Sequence, residues 1–339
     1  MNSPRPRLDP ATAETRRAVR ALLADALQQG VVSAGDLVTV ALSGGADSLA
    51  LAAATAFEAP KQDLRAGAVV VDHALQAGSE AVASRASRTA ASLGLDPVTA
   101  RRVAVGSDGG PEGAAREARH AAIAQVAADT GSPLVLFGHT LDDQAETVLL
   151  GLLRGSGPDA LSGMPPLAQR TVGPAYGRPL LGVRRHTTRQ ACAAAGLVPW
   201  DDPQNDDPAY ARVRVRNALM PALERELGAG VPEALARTAE QLREDAAALD
   251  HFAEEMAEDL AEHSEAGISL SVPELQANPP ALRQRLVRLA VEGEFCVTLS
   301  RTQTLEVCRL VTDWHGQGPV DLPGVRASRE GERIAFAAR

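Results

Sequence analysis

The chain has 339 residues, 45% of them hydrophobic and 23% charged, the make-up of an ordinary globular protein long enough for two domains. No apolar run approaches the ~18 residues a membrane-spanning helix needs, and the opening MNSPRPRLDP holds no apolar leader, so no membrane partner and a cytoplasmic location are expected. The net charge of −9 argues against a nucleic-acid partner only until its distribution is read: residues 240–265 alone carry ten acids and one base, which leaves the rest of the chain neutral.

In chain order, Ala18, Leu22, Leu23 and Leu27 have helical spacing after a Pro-rich start, and Gly30 suits a stop. Strands are predicted at Leu37–Leu42, Ala66–Val71, Val98–Val105 and Pro133–Phe137, because each is a short apolar run. They alternate with helices at Asp47–Phe57, Ser79–Leu93, Pro111–Thr130 and Asp142–Leu153. That alternation implies an α/β fold with a mostly parallel sheet covered on both faces. Gly155 to Arg178 is rich in Gly and Pro and reads as loop; Leu180–Val183 is expected to be a strand and His186–Ala195 a helix. The domain boundary is expected at residue 215, giving a nucleotide-binding domain over 1–215 and a smaller, mainly helical domain over 216–339. There Pro232 opens a helix with Leu235, Ala239, Leu242, Ala246, Leu249, Ala253, Met256 and Leu260 on one stripe, which leaves the acid run as a solvated face. A second helix is predicted over Pro280–Glu292, and a β-hairpin turning at Glu330–Glu332 ends the chain.

Ligands of parallel sheets lie at the carboxyl ends of strands, beside helix N-termini. Ser43–Ser48, Asp72–His73 and His139–Asp143 all fall at such ends. In Ser43-Gly44-Gly45-Ala46-Asp47-Ser48 the glycines permit a tight turn and close approach, and the freed N–H groups with two serine hydroxyls make an anion site. Asp47 would repel a phosphate unless a divalent cation bridges them. Lys61 is the sole lysine, so a GxxxxGK[ST] loop is excluded. Asp142, Asp143 and Glu146 share a helix start; beside an anion site they call for a cation, either Mg²⁺ or a substrate ammonium, unless they merely answer the helix dipole. Arg116 and Arg119 are one turn apart and suit a phosphate or a carbonyl, or else form a solvated pair with Glu112 and Glu117. Seven arginines lie in 178–216; in Arg212-Val-Arg-Val-Arg216 three would share one face if extended and would spread on a helix. Such a segment suits phosphate contacts to an RNA, with solvated charge as the plain alternative. Cys192, Cys296 and Cys308 form no CxxC pair, and the histidines no HxH or HxxxH, which argues against disulfides and a zinc site.

SGGADS after an apolar strand resembles the pyrophosphate loop of the PP-loop (N-type ATP pyrophosphatase) superfamily. The resemblance implies a five-stranded parallel sheet that binds ATP with Mg²⁺ and cleaves it between the α and β phosphates, passing AMP to a substrate oxygen. Further motifs follow in order: Val71-Asp72-His73-Ala74-Leu75-Gln76, residues 112–120, Gly138-His139-Thr140-Leu141-Asp142-Asp143-Gln144-Ala145-Glu146-Thr147, Leu153-Arg154-Gly155-Ser156-Gly157, Arg178-Pro179-Leu180-Leu181 and Asp202-Pro203-Gln204-Asn205-Asp206. Over roughly residues 35–225 this set resembles the tRNA(Ile)-lysidine synthase family. His120 departs from the pattern, which usually shows an aromatic residue there.

The family resemblance implies an ATP-dependent ligase that joins L-lysine to the wobble cytidine of a tRNA(Ile) with a CAU anticodon, acting as a monomer or homodimer. It implies that Ser43, Gly44, Gly45, Ala46, Asp47 and Ser48 bind ATP, with Asp47 at Mg²⁺. Asp47, Arg116, His139, Asp142, Asp143 and Glu146 are then the catalytic set. Asp72, His73, Arg119, Arg212 and Arg216 would bind substrate, and the domain after 215 would grip the tRNA body with its acidic helix turned away from the RNA. Rival readings are a tRNA thiolase, which needs cysteines near these motifs, a glutamine-dependent synthetase, which needs a glutaminase nucleophile, and a nucleotide sensor, which would bind ATP without releasing pyrophosphate.

Overall fold

The computed structural model describes residues 8–72, 78–103, 111–155, 157–264 and 267–339. The chain divides into two compact units, Met1–Glu240 and Gln241–Arg339.

The first unit begins with α1 (Pro10–Gln28), whose N-terminus is capped by the Asp9 carboxylate accepting from Thr12 N–H. Next come β1 (Leu37–Ala41), α2 (Ala46–Glu58), β2 (Arg65–Asp72), α3 (Ser79–Ser92), β3 (Val98–Arg102), α4 (Pro111–Thr130), β4 (Leu134–Leu136) and α5 (Leu141–Leu153). These match the expected alternation to within a few residues. The segment read as loop instead contains α6 (Pro158–Leu161) and two short strands, β5 (Leu167–Ala168) and β6 (Ala175–Gly177). The expected strand at 180–183 is a 3₁₀ turn, Pro179–Gly182. Then follow α7 (Arg185–Ala194), α8 (Ala211–Arg214), a π-helical turn (Val215–Leu219) and α9 (Met220–Leu227); the 30-residue α10 (Val231–Leu260) contains the division between the two units, after Glu240. Residue 215, the expected boundary, begins the π turn inside the first unit.

Strand order in the first sheet is β3-β2-β1-β4-β6-β5, with β5 antiparallel and the others parallel. The five parallel strands are those the resemblance implied, with Ala175–Gly177 as the fifth. Its Gly177 is required by close approach: a Cβ there would fall 2.6 Å from Leu136 Cδ2. The strongly apolar β1 is central, with Val40 paired to Ala68 on one side and Leu136 on the other. The chain runs outward from β1 through β2 to β3, then returns to the other side of β1 as β4. The gap between the carboxyl ends of β1 and β4 is therefore the topological switch point, where such sheets bind ligands.

The second unit contains β7 (Ala261–Ser264), β8 (Gly267–Ser271), α11 (Val272–Ala277), α12 (Pro280–Phe295), α13 (Arg301–Thr312), β9 (Val320–Leu322), β10 (Val325–Glu330) and β11 (Arg333–Ala338). Its antiparallel sheet has the order β7-β8-β11-β10-β9, and Leu270, Leu286, Val307 and Phe336 lie in its core. The terminal hairpin has the expected turn; β7, β8, α11, α13 and β9 add to the predicted elements. On α10, Ala239, Ala253 and Leu260 of the predicted stripe are buried and the acids from Glu240 onward are exposed, while Glu233 in its first turn is half-buried. No helix among the described residues is long and apolar enough to cross a membrane.

Candidate active site

A cavity of ≈ 750 Å³ opens at the switch point of the first unit. The loop after β1 forms one wall. Gly44 adopts φ +87°, a conformation that glycine alone takes without strain, and its carbonyl accepts from Trp200 N–H at 2.9 Å. Ser43 Oγ lies 3.1 Å from Ser48 Oγ, and Ser43 N–H donates to Ser48 Oγ at 3.2 Å. Gly45 is the N-cap of α2, so the helix N-terminus points into the loop. Gly138, at the end of β4, crosses so close to α2 that a Cβ there would lie 3.0 Å from the Asp47 and Ser48 backbone.

Asp47 stands on the first turn of α2. Its carboxylate accepts from the Thr188 hydroxyl, and its Oδ2 is 3.8 Å from Arg185 Nε. Burial pushes its pKa up to about 6, with Asp143 adding to the shift and Thr188, Arg185 and Arg216 opposing it.

Behind Asp47 lies the acid triplet of α5. Thr140 caps this helix, donating both N–H and hydroxyl to Asp143 Oδ2 at 2.8 Å. Burial alone would push the Asp143 carboxyl up. Arg185 and the Thr140 donors outweigh it and hold Asp143 below the usual carboxylate range. The cations this triplet demands are arginines of the chain itself. Arg185 reaches Asp143 at 2.8 Å and Glu146 at 3.1 Å, and its own N–H donates to Asp142 at 2.7 Å. Arg216 reaches Glu146 at 2.8 Å and Asp143 at 3.2 Å. Arg212 donates to Thr147 at 2.8 Å and sits 3.6 Å from Glu146. Arg184 bridges Asp142 at 3.3 Å to Glu233 at 2.7 Å. The 212–216 run is helical, so Arg212 and Arg216 share a face while Arg214 turns back to the Pro208 and Ala209 carbonyls. Arg216 rides on the π turn, a feature frequent at functional sites.

His139, at the end of β4, lines the cavity. Burial pushes its pKa down to about 4, and its Nδ1 is buried with no hydrogen-bond partner in the described protein. It stacks on Phe137 at 5.9 Å, and His120 stacks on Phe137 at 5.4 Å. His120 therefore occupies a ring-stacking position despite its departure from the family pattern. Asp72 is buried at the end of β2 and lines the cavity, as does Arg119; Arg116 and Arg119 are both exposed on α4, and Arg116 is not among the cavity residues. His73 lies outside the described residues, as do residues 74–77 and Ser156.

Thus the cavity wall gathers Ser43, Gly45, Ala46, Asp47, Ser48, Asp72, Arg119, His139 and Arg216. Asp143 and Glu146 are buried residues of α5 whose carboxylates bond the guanidinium groups of Arg185 and Arg216. Sequence reasoning missed Arg184, Arg185, Thr188 and Trp200. The thiolase alternative needs a cysteine near these motifs, and the fold does bring one there: the Cys192 thiol donates to the Ala46 carbonyl at 3.2 Å. Burial, with Asp47 nearby, pushes that thiol up to about 11, so it carries no thiolate for sulfur chemistry.

The PP-loop domain family model matches residues 13–223, and the TilS substrate binding domain model matches residues 270–334. The chain is 59% identical to the tRNA(Ile)-lysidine synthase of Leifsonia xyli subsp. xyli, over 89% of this chain and 90% of that one. It is 51% identical to that of Streptomyces coelicolor over 88% and 85%, and 48% identical to that of Thermobifida fusca over 97% and 98%. Among solved structures, the U34-tRNA thiolase NcsA from Methanococcus maripaludis matches with a TM-score of 0.56 at 19% identity, covering 69% of this chain and 80% of that one. At that identity the likeness concerns the fold alone.

Proposed function

The chain belongs to the tRNA(Ile)-lysidine synthase family, and we propose on that footing that its cavity uses ATP to join L-lysine to the wobble cytidine of the CAU anticodon of tRNA(Ile). The carrying observation is that the SGGADS turn, His139 and two arginines held by the acid cluster, Arg185 and Arg216, line one cavity at the sheet's switch point. The 2-oxo oxygen of the cytidine attacks the α-phosphorus of ATP and pyrophosphate leaves. The lysine ε-amine then attacks the adenylated carbon and AMP leaves.

In this reading the loop N–H groups and the Ser43 and Ser48 hydroxyls hold the departing pyrophosphate, as the N-terminus of α2 favours negative charge. The described residues include no group of three ligating side chains that would cage a metal. Mg²⁺ needs only one or two carboxylates beside phosphate oxygens, and the half-buried Asp47 on the cavity wall fits that part; the ion, when bound, would neutralise phosphate charge. Asp142, Asp143 and Glu146 fix Arg185 and Arg216 at the wall, where two guanidinium groups suit the lysine α-carboxylate. His139 offers a neutral imidazole acceptor toward the base or the amine. Arg116 and Arg119 orient the cytidine, Asp72 and His73 take part in ATP binding, and the part of the chain after residue 215 holds the tRNA body. Such positioning of amine and activated base is the main source of rate. The protein acts in the cytoplasm, where its tRNA is.

The test is attachment of labelled lysine to tRNA(Ile) that requires ATP and yields AMP. Absence of AMP, or equal labelling of a tRNA with another wobble base, overturns the proposal.

A further inference from the structure

β6 and β4 end side by side, and together with α4 they build a second feature beside the cavity. Tyr176 meets Phe137 edge-on at 4.9 Å, and Phe137 is stacked between His120 and His139. The Arg170 guanidinium lies 4.7 Å from the Tyr176 ring centre. Two residues beyond Tyr176, Arg178 is half-buried; its Nη1 donates to the Pro165 carbonyl at 3.0 Å, and its Nε is buried without a partner. Arg170 donates to the Val172 carbonyl at 3.4 Å. Among the described residues no carboxylate pairs with Arg116, Arg170 or Arg178. This contrasts with the cluster a few residues away, where every arginine faces an acid.

Holding the half-buried Arg178 guanidinium without counter-charge, beside the exposed Arg116 and Arg170, is costly, and its buried unpaired Nε adds to the cost. The two histidines do not add charge: burial and these same arginines push both His120 and His139 down to about 4, so they are neutral at physiological pH. The residue set therefore favours an incoming anion. ATP does not meet that need well. Its phosphates belong to the loop after β1, and β6 lies two strands from β1, about 10 Å away at the usual strand spacing. A ribonucleotide whose base reaches His139 brings its own backbone phosphates alongside.

We propose that Arg170 and Arg178, supported by Arg116, form a phosphate-binding step that seats an anticodon-loop backbone phosphate next to the reacting nucleotide. The inference rests on the reading of the substrate as tRNA(Ile). The guanidinium fork is suited to phosphate, and such contacts set register without reading sequence.

The experiment measures tRNA(Ile) affinity against KCl concentration for the full chain, for Arg170→Gln and Arg178→Gln, and for Arg178→Lys. Each glutamine variant is expected to weaken binding and to flatten the log–log salt slope by about 0.7–0.9, the loss of one phosphate contact. Arg178→Lys is expected to restore the slope. Affinity for ATP, titrated without tRNA, is the control that separates an RNA phosphate from a nucleotide phosphate. Salt slopes equal to wild type in both Arg170→Gln and Arg178→Gln overturn the proposal, as does ATP affinity that falls together with tRNA affinity. Should Arg178→Gln not fold for want of its bond to Pro165, the exposed Arg170 decides alone. A wild-type protein that attaches no lysine to tRNA(Ile) refutes the parent reading; one that does so while the slopes stay unchanged refutes only the phosphate step.

Discussion

Asp47→Asn separates what the chemistry needs from what the fold would prefer. Burial holds the Asp47 carboxyl at about 6, against 3.8 for an open chain. Between those values the folded protein keeps a proton that the unfolded chain has released. Stability contributed at this position therefore falls as pH rises from about 4 to about 6, and is level above that. A gap of about two pH units is worth about 3 kcal/mol, and the 26% exposure of the side chain lowers the realised value. Asparagine keeps an acceptor for the Thr188 hydroxyl but has no charge to desolvate. The variant is expected to be more stable than wild type by about 2 kcal/mol at pH 8 and equal to it at pH 4. The chain has two tryptophans, Trp200 in the first unit and Trp314 in the second. In a Trp314→Phe background, fluorescence during urea unfolding then follows the first unit alone. With a urea slope of about 2–3 kcal/mol/M the midpoint rises by roughly 1 M at pH 8. Pyrophosphate release should be lost in the same variant. A midpoint difference that does not change with pH refutes the burial argument, and retained pyrophosphate release refutes the role assigned to the carboxylate.

Gly138→Ala puts a methyl group 3.0 Å from the Asp47 and Ser48 backbone; it is expected to displace the loop and cut ATP affinity at least tenfold, read by equilibrium titration, and unaltered affinity would show that the crossing is not tight. Arg185→Gln strips a guanidinium from Asp143, Glu146 and Asp47 together; it should cost about 3–5 kcal/mol in urea unfolding, as removal of one partner of a buried ion pair does, and lysine attachment should fall with it. A loss below about 1 kcal/mol would mean that Arg216 and Arg212 suffice to balance the acids. Changing the wobble cytidine of the tRNA to uridine should abolish lysine attachment while leaving ATP binding intact, and continued attachment would refute the assigned acceptor.

The loop from Ser43 to Ser48 was legible because its meaning is local. A buried strand, a glycine turn and a helix start follow one another within a dozen residues, so no long-range contact has to be guessed. The alternation of strands and helices was legible for the same reason, and with it the switch point that brings Asp72 and His139 to the loop. β6 was not, since three residues between Pro174 and Arg178 have no periodicity, and only pairing with β4 makes Ala175–Gly177 a strand. The strand expected at 180–183 is the counterpart: an apolar run reads as a strand, but Pro179 opens a 3₁₀ turn that buries Leu180 and Leu181.

The arginines that balance the acid triplet teach a different point. The sequence demanded a cation near Asp142, Asp143 and Glu146, and only substrate or metal was considered. Arg184 and Arg185 carry a signal that spacing alone does not use. They occupy the N-cap and first turn of α7, where the helix dipole disfavours positive charge. Two cations at that end are stable only if acids from elsewhere face them, and the acids that do so are Asp142, Asp143 and Glu146 of α5, with Asp47 of α2 and Glu233 of α10. Arg212 and Arg216 give the same message once their run is taken as helical, since i and i+4 then meet one partner, Glu146. The cluster therefore solves the charge problem before any ligand arrives, leaving Asp47, shifted up to about 6, as the carboxylate whose own environment favours its protonated form. That residual imbalance sits on the phosphate loop itself, which is where a PP-loop enzyme has use for it.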